Sequence, residues 1–175
     1  MSVLSRKPQS EFKNHLSKEY PGQRFAIGFI IYEPLYEKYW ADVNCLDDHI
    51  HFGIFRSSYK KQISDDYSGF KYNSKIKYIF DNSNLKNAIV SVTGTGSSHF
   101  KDDGVYTQIN LTITENADMV SVVTKTITIL KENNISADIV HIEQEKDKQV
   151  YELSLSPADY SLPKSELEAK IEQIK

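Results

Sequence analysis

The sequence predicts an α+β fold, antiparallel sheet with helices packed on one face of it. Short runs of alternating apolar and polar residues mark strands, and stretches with an apolar residue every three or four positions mark helices. The two kinds come in the order α-β-β-β-α followed by β-β-α-β-β-α. The 175 residues read as one α+β domain over 1–175, divisible into subdomains 10–87 and 88–175.

Phe12, Leu16 and Tyr20 recur at i, i+4 and i+8, one stripe of a first helix that Pro21-Gly22 stops. A meander follows. Phe25, Ile27, Phe29 and Ile31 alternate, then Tyr39, Ala41 and Val43, then Ile50, Phe52 and Ile54, all on one apolar face. Closing the two loops pairs Val43 with Ile50, Ala41 with Phe52 and Tyr39 with Ile54, and in the first hairpin Phe29 with Tyr39 and Ile27 with Ala41. The opposite face then sets the only tryptophan, Trp40, across Gly28 and Gly53, with Ile30 and Phe55 beside it and Asp42 opposite His51. A second helix is expected within 65–80, where Tyr72, Ile76, Ile79 and Phe80 share a stripe and Asp65 or Asp66 serves as N-cap.

Residues 90–100, VSVTGTGSSHF, carry the glycines of a phosphate-cradling loop. Such a loop must run directly into a helix, whose free N–H groups build the anion site. Here Gly94 and Gly96 lead through His99 to Asp102, Asp103 and Gly104, and Val105, Thr107, Ile109, Leu111 and Ile113 then alternate as a strand. The stretch therefore reads as a long hairpin loop. A third helix starts at Asn116 or Asp118, buries Val120, Val123, Ile127 and Leu130, and stops at Asn133-Asn134. Strands over 138–143 and 149–155 are joined by a turn around Asp147, and Leu162-Pro163 opens a last helix with Leu167, Ile171 and Ile174 on one face.

A hydrophobic content of 39% excludes a disordered chain, and no apolar run approaches the ~18 residues of a membrane span. Residues 1–10 lack the apolar segment of a signal peptide, so the chain as it stands is expected to be cytoplasmic. Its single cysteine, Cys45, excludes an internal disulfide framework and a cysteine-rich zinc site. The net charge of −3 is uneven: residues 1–87 hold 13 Lys and Arg against 10 Asp and Glu, residues 88–175 hold 8 against 14. An acidic second half suits a basic protein partner and disfavours nucleic acid.

Three clusters are candidates for chemistry. His49 and His51, at i and i+2 on one strand, point to one face with Asp42 beside them as a third ligand and no evident fourth, while Cys45 takes the opposite side. His99 with Asp102 and Asp103 places an acid and bases in one loop. Tyr59-Lys60-Lys61 and Lys71, Tyr72, Lys75, Lys77 and Tyr78 mix cations with rings as a single-strand nucleic acid groove does, although Asp65-Asp66 interrupt them. His15 is read as helix surface and His141 as a strand residue. No metal and no cofactor are expected.

FKNHLSKEYPGQRFAIGF, YWADVNCLDDHIHFGIFR and ISDDYSGFKYNSKIKYIF resemble, in that order, small extracytoplasmic lipoproteins of Gram-positive bacteria, some of them immunity factors against polymorphic toxins. The shared features are a short helix ending in a Lys-x-Tyr turn, a three-strand meander and Asp-Asp-Tyr leading into a helix. The resemblance implies a lipid-anchored, extracytoplasmic protein whose targeting segment is missing from this chain. It brings no functional residue with it.

The function expected is a non-catalytic protein-binding module, a toxin-immunity or inhibitor protein, meeting its partner through Trp40, Asp42, His51 and Phe55. The alternatives are a small hydrolase using the His99 loop or the His49/His51 strand, and a nucleic-acid binder using the Lys71–Tyr78 helix.

Overall fold

The computed structural model describes residues 6–60, 62–96 and 107–174. It is α+β, with helices interleaved among the strands of two sheets. The chain forms two compact units, one ending at Lys71 and the other beginning at Tyr72. The division falls inside a helix, not in the connection near residue 87.

In the first unit α1 (Arg6–Glu19) is followed by β1 (Phe25–Ile27), β2 (Ile31–Glu33), β3 (Lys38–Cys45), β4 (His51–Ser57) and β5 (Ile63–Asp65), and α2 (Tyr67–Asp81) begins there. The sheet runs β1-β3-β4-β5, with β2 pairing beside β1 on the same edge of β3. Phe12 and Leu16 of α1 pack with Ala41, Val43, Cys45, Phe52, Ile54 and Tyr67 on one sheet face. Tyr20, Phe25, Phe52 and Tyr67 meet there ring to ring, at centroid distances of 4.7 to 5.9 Å. Gly22, at φ +87°, turns the chain out of α1, as the Pro21-Gly22 pair requires.

The pairing departs from the one expected by two residues. Val43 lies opposite Phe52, Ala41 opposite Ile54 and Tyr39 opposite Arg56. The loop between β3 and β4 is tighter than expected: Cys45 N donates to Ile50 O and His49 adopts φ +60°, so the turn closes over 46–49. A shift of two preserves the faces, because side chains alternate with period two. The run over 25–31 is not one strand but two. Ile27 pairs with Val43 and Ile31 with Trp40, so four steps on one strand meet three on the other, a bulge at Gly28–Ile30. Phe29 is thereby left 89% exposed, and Ile31 is moved to the face opposite Phe25 and Ile27.

In the second unit the sheet runs β10-β9-β8-β7-β6. Its strands are β6 (Ile89–Thr95), β7 (Gln108–Ile113), β8 (Ile139–Lys146), β9 (Gln149–Leu155) and β10 (Glu172–Gln173), with α3 (Met119–Glu132) and α4 (Lys164–Ala169) between them. β7 and β8 pair in parallel, because α3 carries the chain back to the start of the sheet between them. The other pairs are antiparallel. Ile76 and Phe80 of α2, Val123, Ile127 and Leu130 of α3, and Leu167 of α4 close one aliphatic core with Leu111, Ile142 and Leu153. The β8–β9 hairpin turns on Asp147 and Lys148, at φ +52° and +65°, the double positive φ of a two-residue type I′ turn. The last helix is shorter than its apolar spacing suggested: α4 ends at Ala169, and Glu172 and Gln173 instead add an edge strand to β9, with Ile174 N donating to Val150 O. Among the described residues no helix is long and apolar enough to cross a membrane.

Candidate functional site

Both units cover one sheet face with helix, and the other face of the first sheet carries the residues singled out by sequence. Strand alternation puts Lys38, Trp40, Asp42 and Asn44 of β3 and His51, Gly53, Phe55 and Ser57 of β4 on it. Register joins them into rows: Ile31, Trp40, Phe55 and Ser64 form one, and Asp42 lies against Gly53 in the next. Trp40 and Phe55 are half-buried, Asp42 and His51 exposed. All four expected partner residues thus share one surface, but their pairing differs from the expectation. His51 lies opposite Asn44, not Asp42, and Trp40 is flanked by Ile31 and Phe55, not by the glycines. It is the Phe55 ring that covers Gly53: a Cβ there would stand 2.9 Å from Phe55 Cζ.

Lys38 ties this face together at one end. Its ammonium lies 4.9 Å from the Tyr36 ring centroid, 5.4 Å from that of Phe55 and 3.3 Å from Glu33. At the other end stands Asp66, which sequence reading offered only as a helix cap. Its N–H donates to Gly53 O, and its Oδ2 lies 3.5 Å from where a Cβ of Gly53 would be, so its carboxylate shares the outer face with Asp42. Partial burial, then the charge of Asp65, holds the Asp66 carboxyl above its ordinary value. Signals for this placement exist in the sequence only once β5 is recognised, and a three-residue strand leaves almost no periodicity to read.

The His49/His51 pair does not form as drawn. His49 sits in the turn before β4 begins, so the two side chains do not share a strand face. Among the described residues no three His, Cys, Asp or Glu side chains converge as a metal site would need. Cys45 is buried on the inner face as expected, and its thiol donates to Gln23 Oε1 at 3.3 Å and lies 3.5 Å from the Tyr67 hydroxyl. Tyr67 in turn donates to Asp48 at 2.6 Å and accepts from Lys71 Nζ at 3.2 Å. Burial, then the Asp48 hydrogen bond, pushes the Tyr67 phenol far up, which keeps it protonated as a hydrogen-bond donor and makes it a poor acid.

Two contacts of buried charged groups were not foreseen. His15 is not helix surface: its Nε2 lies 2.7 Å from Asp65 Oδ2, while Tyr20 donates to Asp65 Oδ1 at 2.7 Å and Tyr67 N at 3.0 Å. Burial alone would raise the Asp65 carboxyl, but the hydrogen bonds from His15, Tyr20 and the Tyr67 amide outweigh it and hold it below its ordinary value. Arg56 is buried as well, with Nε 2.6 Å from Glu11.

The second unit's open sheet face is polar. Thr93, Asn110, His141 and Ser154 form one row, and Thr112, Glu143, Glu152 and Glu172 another. His141 bonds Ser154 at 3.1 Å, the strand role expected for it. Gly94 serves packing: a Cβ there would meet Ile76 and Tyr72 at 2.9 to 3.0 Å, and its N–H donates to Asn73. Of the nucleic-acid candidates, Lys71 is drawn to Asp48 in the first unit, while Lys75, Lys77 and Tyr78 are exposed in the second. Lys61, His99, Asp102 and Asp103 lie outside the described residues. No family model, no curated protein and no solved structure matches the chain.

Proposed function

We propose that this protein is a non-catalytic protein-binding module, of the toxin-immunity or inhibitor kind, whose outer β3–β4 face covers its partner. One observation carries the reading: an apolar row of Ile31, Trp40 and Phe55 lies on a sheet face that no described helix of its unit covers. Tyr36, 65% exposed, is joined to Phe55 through Lys38. Leu35 and Tyr59, 83 and 76% exposed, lie in the connections at the same end of the sheet. A row of rings with a charged margin is the composition of an interface centre. The resemblance to extracytoplasmic immunity lipoproteins points the same way, and the acidic second half would steer a basic partner.

The test is to mix the protein with the product of the neighbouring gene, where the partner of an immunity protein is encoded, and to titrate the complex by calorimetry. A complex that Trp40→Ala and Phe55→Ala each weaken at least tenfold is expected. Native affinity in both variants would remove this face from the function.

A further inference from the structure

The outer face of the first sheet holds two carboxylates without a counter-charge. Asp42 and Asp66 make no side-chain hydrogen bond or ion pair with any described residue. This is not for lack of cations in the unit. Lys38 is held by Glu33, Arg56 by Glu11, Arg24 by Asp47 and Lys71 by Asp48. The fold thus directs its own basic groups elsewhere and leaves this pair open beside the rings.

Their placement is specific. Asp42 follows Trp40 by two residues on one strand, so the two residues stand on the same face about 7 Å apart along the backbone. Gly28 N donates to Asp42 O on one side and Gly53 pairs with it on the other, so no side chain grows from either flanking position. Asp66 comes in over Gly53, the residue paired with Asp42: its Oδ2 would stand 3.5 Å from a Gly53 Cβ, and Phe55 Cζ 2.9 Å from the same point. Phe55 already has the Lys38 cation near it, whereas no cation or ring contact is made to Trp40 by a described residue.

We propose that this face takes an arginine of the partner protein, its guanidinium stacked on Trp40 and paired with Asp42 and Asp66. The proposal rests on the protein-binding reading above and names the chemistry it recognises. A guanidinium is planar, stacks on an indole while its edge donates to carboxylates, and loses less hydration than an ammonium on doing so. A lysine would meet one carboxylate but not both groups and the ring together. The partner is therefore basic, with an arginine at the centre of its interface.

Trp40 is the chain's only tryptophan, so its emission reads the site directly. Tetra-arginine, tetra-lysine and tetra-citrulline peptides are titrated into the full chain while that emission is followed. A saturable response to tetra-arginine is expected, at least tenfold weaker with lysine and absent with citrulline. Asp42→Asn with Asp66→Asn should abolish it, and both side chains belong to exposed residues, so the variant should keep the native circular dichroism spectrum. Equal responses to arginine and lysine, or a response that survives the double variant, would overturn the arginine site. So would self-association through this face, seen by sedimentation as a dimer that Trp40→Ala dissolves. The two readings separate in the complex itself. If Trp40→Ala weakens the protein partner tenfold while the Asp42/Asp66 double variant does not, the arginine site fails and the binding face stands.

Discussion

The two units solve the same problem with different materials. Each lays helix on one face of a five-stranded sheet, but the first buries eight apolar residues in its cluster and the second twenty, among the described residues. The smaller core is aromatic and laced with charge: Phe12, Phe52 and Tyr67 pack beside Asp65 and Arg56, both under 10% exposed. The larger is aliphatic, and its buried polar side chains are Gln144, which donates to Thr114 and Ala117 carbonyls, and Thr126. A small sheet gains little from area alone. The first unit adds hydrogen-bonded ions, which fix geometry but tie its stability to pH.

That contrast can be broken most sharply at Asp65. Replacing it with asparagine should cost about 3–5 kcal/mol at neutral pH, because His15 and Tyr20 lose a buried anion. The sign of the pH effect follows from a folded carboxyl below its ordinary value: its contribution is present above the unfolded value near ~4 and is lost as pH falls through the folded one. Acid should therefore erase most of the difference between native and variant in urea titrations. A constant difference from pH 7 to 3 would mean that Asp65 acts by packing only.

Leu111→Ala tests the other side. It should cost about 2–5 kcal/mol through the cavity it leaves, and that cost should not change with pH. Hydrogen exchange on the full chain compares the two directly. In the first unit Asp48 and Asp65 both lie below their ordinary values, so amides of β3 and β4 should lose protection on acidification before those of β7 and β8. Simultaneous loss would show that the buried ions do not set the first unit's stability. The smallest effect belongs to Trp40→Ala, about 1 kcal/mol or less, since a cross-strand pair on a half-open face is all it removes. In the free protein the indole should also be quenched by acrylamide.

The two cores were not equally legible. Alternation in Tyr39, Ala41 and Val43, and the stripe of Val123, Ile127 and Leu130, placed strands and helices because apolar burial leaves a period in the chain. The faces of β3 and β4 came out correctly even though their register was wrong by two, since an even slip exchanges partners without exchanging sides. The bulge at Gly28–Ile30 slips by one and moved Ile31 across the sheet, a change no pattern over 25–31 announces. His15, Glu11, Arg56 and Asp65 were hidden for another reason. A charged residue reads as surface, and the partner that makes its burial tolerable lies 45 to 50 residues away for Glu11 and His15. Asp66 escaped because its place on the outer face depends on β5, three residues long.

The parallel pairing of β7 with β8 has a consequence for how the chain acquires its structure. Every strand pair of the first sheet is antiparallel and joins segments within about twenty residues of each other, whereas β7 cannot meet β8 until α3 has spanned the 25 residues between Ile113 and Ile139. Loop closure of that length costs entropy before any contact returns it. On a ribosome the first sheet is also the first to leave the tunnel. Its strands should reach native order while β8 is still being made, so that the outer face with Trp40 and Phe55 is complete before the second sheet is.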